Sequence, residues 1–88
     1  MTIKNKGGVE MKLVAQLSAR WRVLGDTDQW ILQYKKKAKK EDWGNVSFIG
    51  STKRILMRCI REANAPITGR AQSKLDRLPD TFKCWRDA

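Results

Sequence analysis

The spacing of apolar residues changes once along this chain of 88 residues, between Gly50 and Ser51, and that change bounds the fold. Before it, apolar side chains mostly alternate with polar ones; after it, they recur every three or four residues. Alternation buries one face of a strand, whereas a period near 3.6 buries one stripe of a helix. Strands first and helices second is the order of an α+β domain.

Over 13–23, Leu13, Ala15, Leu17, Ala19, Trp21 and Val23 alternate with Val14, Gln16, Ser18, Arg20 and Arg22, which predicts a strand ending at Gly25. Leu13, Leu17, Trp21 and Leu24 also share a helical face, so 12–20 stays open between strand and helix. "GDTD" at 25–28 has the Gly and Asp residues of a tight reversal. "QWILQYKK" then reads as a second strand with Trp30, Leu32 and Tyr34 on one face, and "NVSFI" at 45–49 as a third. The expected sheet is small, antiparallel and three-stranded.

Two C-terminal helices should follow. Over 52–63, Ile55, Leu56, Cys59, Ile60 and Ala63 fall within one arc of a helical wheel, with Lys53, Arg54, Arg58 and Arg61 opposite. Ser51 is the expected N-cap, and Asn64 and Pro66 end the helix. The second helix starts at Thr68 with Ala71, Leu75 and Leu78 as its stripe; Pro79 kinks it or starts a fresh short helix carrying Phe82 and Trp85. Residues 1–11 read as a flexible leader and 12–88 as a single small domain. The leader has no apolar h-region of a signal peptide, and no apolar run approaches the ~20 residues that cross a bilayer.

Several chemistries find no support in these residues. Histidine is absent, so the commonest proton shuttle at neutral pH is missing. "GSTKR" at 50–54 lacks the first glycine and the spacing of a phosphate-binding loop. The Asp26–Asp28 and Glu41–Asp42 pairs offer fewer carboxylates than oxygen-ligand metal sites gather. Cys59 and Cys84, with no CxxC pair, read as two small core residues in a reducing compartment, a Cys59–Cys84 bridge being the alternative. The expectation is a protein that is not an enzyme and takes no cofactor.

The formal charge is +10, and it is concentrated: residues 20–61 hold eleven basic and four acidic side chains, 11 − 4 = +7. "YKKKAKKEDW" at 34–43 places five lysines in six positions at the expected hairpin between the second and third strands. Such a run is either a solvated edge that discourages aggregation or a grip on phosphate. Arg20 and Arg22 should face away from Trp21 and Val23, and Gln33 and Lys35 away from Trp30. The expected binding set is therefore Arg20, Arg22, Lys35, Lys37, Lys39, Lys40, Arg54, Arg58 and Arg61 on one continuous basic surface, with Trp43 either folded back into the core, the favoured place, or an exposed stacking platform at the tip.

A three-stranded antiparallel sheet followed by a helix, with Arg and Trp on the strands, resembles the integrase/AP2-type DNA-binding architecture over about 20–64. That resemblance implies a sheet laid into the major groove. "WILQ", "SFIGSTKRILMRCIRE" and "LDRLPDTFKCW" are similar to phrases in small phage, prophage and other mobile-element proteins. Those include DNA-binding accessories and anti-defence inhibitors such as anti-CRISPR proteins, which implies a cytoplasmic location in a bacterial host. The reading is a small basic binding protein that contacts DNA or RNA; the alternative is an anti-CRISPR-like inhibitor that binds a host defence protein complex.

Overall fold

A computed structural model describes residues 2–4, 10–37 and 42–88 of the chain. Its architecture is α+β: an antiparallel sheet in the order β1-β2-β3-β4-β5 with three helices after it. The short edge strand β1 (Thr2–Lys4) precedes four strands of five to seven residues: β2 (Glu10–Gln16), β3 (Trp21–Gly25), β4 (Trp30–Lys35) and β5 (Trp43–Ile49). The helices are α1 (Lys53–Glu62), α2 (Gly69–Asp76) and α3 (Phe82–Asp87).

The expected three-stranded sheet is corrected here. The alternating run over 13–23 is two strands of a hairpin, because the chain reverses at residues 17–20. The Leu17 and Ser18 amides both donate to the Trp21 carbonyl, at 2.9 and 3.1 Å, and so close the reversal. Within the segment read as a leader, Thr2–Lys4 pairs with 10–12, and Glu10 opens β2. The turn between β3 and β4 forms at "GDTD" as expected: the Asp26 carboxylate accepts from the Asp28 and Gln29 amides at 2.7 and 2.8 Å.

One face of the sheet carries the helices. Ala15, Val23, Trp30, Leu32 and Ile49 point to it and enclose a core with Leu56, Ile60, Ala71, Leu75 and Phe82. Each fully buried aliphatic side chain of this kind contributes about 1.5–3 kcal/mol relative to exposure. Trp30 forms edge contacts with Phe82 and Trp85, at centroid distances of 5.6 and 6.3 Å, and these rings fasten α3 to the sheet. The other face bears a smaller cluster of Met11, Leu24 and Ile31, with Leu13 beside it.

Threonines cap all three helices. Thr52, Thr68 and Thr81 each accept from the third following amide. The N-cap of α1 is thus Thr52 and not Ser51, whose carbonyl instead accepts from the Phe82 amide at 2.9 Å. Thr52 and Thr81 form a single antiparallel bridge, so α1 and α3 start from one point. Pro79 is followed by a fresh short helix, which makes three helices where two were expected. At the far end of α1, Asn64 takes the left-handed conformation (φ 56°), and the Ala65 amide donates back to the Ile60 carbonyl at 3.2 Å. This is a Schellman stop with Asn in the position usually held by Gly.

The cysteines do not bridge. Cys59 is half-buried beside the core, as expected for a small apolar residue, but Cys84 is exposed on α3, which corrects its assignment to the core. Among the described residues no helix is long and apolar enough to cross a membrane.

Candidate nucleic-acid interface

Strand alternation and two irregularities in the ladder build a polar row on the sheet face away from the helices. Arg22 pairs with Gln33 across β3 and β4, and Gln33 pairs with Asn45 across β4 and β5. The Arg22 Nε donates to Gln33 Oε1 at 2.8 Å, and Gln33 Nε2 donates to Asn45 Oδ1 at 2.8 Å. Gln33 is only 5% exposed, the one buried polar residue among the described residues, and these two bonds satisfy it. Gln16, opposite Arg22 on β2, continues the row and donates to the Ser18 carbonyl at 2.6 Å.

Trp43 belongs to this face, so of its two expected places it takes the sheet surface and not the favoured core. It pairs with Lys35, and the Arg22 guanidinium stacks 3.9 Å from its ring centroid, with Lys35 Nζ at 5.6 Å. A cation held over an indole loses part of its freedom yet keeps its charge, and the interaction is worth about 0.5–1 kcal/mol where solvent reaches it. Arg22 is therefore fixed from two directions, by Gln33 through Nε and by Trp43 through its flat face. Asn45 is exposed, and its side-chain carbonyl accepts from Gln33. Phe48 (56% exposed) and Val46 (46%) add apolar surface beside Asn45 on β5.

The expected basic residues do not form one surface. Arg22 and Lys35 lie on the helix-free face, both beside Trp43. Arg20 is exposed just before β3, where its carbonyl accepts from the Lys35 amide at 2.8 Å and extends the ladder by a step. Lys37 is exposed just past β4, whereas Lys39 and Lys40 lie outside the described residues. Arg54, Arg58 and Arg61 are exposed on α1, whose Leu56 and Ile60 pack against the opposite face of the sheet. The helix arc is as expected, but it turns these arginines away from Arg22 and Lys35. Lys53, placed on that arc from sequence, serves the fold instead. Its Nζ donates to the Asp76 and Leu78 carbonyls at 3.0 and 3.3 Å, closing the end of α2.

Sequence reasoning missed Gln16 and Asn45 as members of the polar face. Trp43 carried a signal in its position beside the lysine run; Asn45 carried none, because a bulge sets its direction. No protein-family model matches the chain, and no curated protein or solved structure matches it either.

Proposed function

We propose that this chain is a small non-enzymatic DNA-binding protein that lays the helix-free face of its sheet against the duplex. The observation that carries the reading is the row Arg22–Gln33–Asn45 with Arg22 stacked on Trp43. Arginine and asparagine are the side chains that pair with guanine and adenine edges, and the major groove admits strands. Gln33 is buried and fully engaged, so its part is to orient Arg22 and Asn45. Arg20, Lys35 and Lys37 stand to one side of the row, along β3 and β4 from Arg22 and Gln33, where phosphate contacts would set register. Phe48 supplies an apolar surface suited to a thymine methyl group. The likeness of "WILQ" and "SFIGSTKRILMRCIRE" to small phage and prophage proteins fits an accessory factor of a mobile element in a bacterial cytoplasm.

Fluorescence anisotropy on a labelled duplex across a salt series tests the reading. Arg22→Ala with Lys35→Ala should weaken binding and flatten the log–log salt slope by about two units, one for each phosphate no longer neutralised. Arg54→Ala with Arg61→Ala should leave that slope in place. A parent protein that binds duplex only weakly, with a slope indifferent to Arg22 and Lys35, sinks the reading. Tighter binding to single-stranded RNA than to duplex DNA would move the target to RNA. Weak binding to all nucleic acids would favour the inhibitor of a host defence complex.

A further inference from the structure

The outer side of α1 is a second surface, unrelated to the sheet face in position and different from it in chemistry. A shallow open groove of about 940 Å³ is lined by Arg54, Arg58 and Arg61, by Ile55 and Met57 on either flank of that arginine stripe, and by Asp80 and Thr81 from the segment before α3. A second hollow shares Met57 and Arg61 and continues past the helix end to Ala65 and Ile67. Together they follow most of α1, whose ten residues span about 15 Å.

The charges here have little to do within the chain. Arg54 and Arg61 have no ion-pair or side-chain hydrogen-bond partner among the described residues. Arg58 faces Glu62 at 3.8 Å, with both side chains more than 60% exposed (63% and 70%). An exposed pair of this kind is worth little and exchanges readily for another partner. Thus three guanidinium groups at i, i+4 and i+7 border a partly exposed methionine and isoleucine.

We infer that this groove docks an acidic amphipathic segment of a partner protein, whose carboxylates meet Arg54, Arg58 and Arg61 while its apolar residues cover Met57 and Ile55. With Lys53 and three arginines against the single Asp80 carboxylate the lining stays basic, so charge complementarity requires an anion, and the apolar Ile55 and Met57 decide which kind. Phosphates would satisfy the arginines but would leave the thioether and aliphatic side chains without a match. A helix with Glu or Asp at i, i+4 and i+7 and Leu or Ile between them meets both. Methionine adapts to varied apolar partners and is favoured on such surfaces. A second copy of the chain is a poor occupant, since two proteins of charge +10 repel. The groove is also too open to enclose a small molecule as ligand pockets do. The inference is independent of DNA binding and gives the molecule one face for nucleic acid and one for protein.

The probe is a synthetic helical peptide of about fifteen residues with glutamates at i, i+4 and i+7 and leucines between them. Its control has the same charge, with every leucine replaced by serine. Each is titrated by NMR into the parent, Arg54→Ala with Arg61→Ala, and Met57→Ser; Arg54 and Arg61 are exposed, and because Met57 also packs against the core its variant is compared at a temperature where thermal melts show it folded. The leucine peptide should perturb α1 and bind the parent about tenfold more tightly than the serine peptide, and each variant should lose about tenfold. Duplex affinity of both variants should equal that of the parent. Equal binding of the two peptides, or full binding by Met57→Ser, would show a charge-only surface and overturn the proposal. It is overturned as well if duplex DNA displaces the peptide and depends on Arg54 and Arg61, or if no saturable binding appears by about millimolar peptide.

Discussion

The indole of Trp85 lies so close over Gly25 that a side-chain carbon on Gly25 would stand 2.5 Å from Cζ3. The glycine sits in a strand, at the end of β3, where β-branched and aromatic residues are favoured by propensity. Its use is to let α3 approach: Trp85 reaches across the strand end to Trp30 and Phe82. Gly25→Ala should therefore destabilise the fold by about 1–3 kcal/mol, as overpacking does. In a Trp85→Ala background the same change should cost less than about 0.5 kcal/mol, the mark of a coupled pair. Urea unfolding of the four proteins completes the cycle, and equal costs in both backgrounds would refute the close approach.

Leu56 and Ile60 are the two buried residues of α1 and carry its packing onto the sheet. Truncating either to alanine should cost about 2–5 kcal/mol. At this chain length each kcal/mol lowers Tm by roughly 4–8 °C. A variant that melts like the parent would place the helix in another rotation and with it the direction of Arg54, Arg58 and Arg61.

Asn64 stops α1 in a left-handed conformation that most side chains resist. Asn64→Gly should hold or slightly raise Tm, while Asn64→Val should lower stability by about 1–2 kcal/mol. Thermal melts of the pair test the Schellman stop directly, because Gly and Val differ there chiefly in backbone freedom. Equal melting of the two would remove it.

Gln33 couples stability to the proposed DNA interface without carrying charge. Gln33→Met keeps the volume but removes the acceptor for Arg22 and the donor to Asn45. It should cost about 0.5–1.5 kcal/mol of stability, because exposed Asn45 and half-buried Arg22 can both regain water. Duplex affinity should fall while the salt slope stays unchanged, since every cation that meets a phosphate is still present. Unaltered affinity would mean that the orientation of Arg22 does not matter to binding.

Local chemistry was readable in the chain. The turn at Asp26, the helical arc of Leu56 and Ile60, the helix start at Thr68 and the stop at Asn64 each follow from a few neighbouring residues. Trp30, Leu32 and Tyr34 share a face as their alternation predicts, and Gln33 and Lys35 share the other with Arg22. Where the chain pairs with itself, alternation misleads. Leu13 and Ala15 are two apart and should share a face. The irregularity between them puts Ala15 in the main core and Leu13 beside Met11 on the other side. The same thing happens on β5: Leu32 pairs with Ser47 but Gln33 with Asn45, so one extra residue brings Asn45 to the face of Phe48. A bulge adds a residue to one strand of a pair and so reverses the direction of every side chain beyond it. Nothing local to Val14 or Val46 announces that reversal, because it depends on the length of the strand alongside. Likewise Arg22 and the α1 arginines belong to one basic block along the chain and to two surfaces in space. Arg22 leaves one side of the sheet, and α1, with its apolar arc against the other side, must turn its arginines the opposite way.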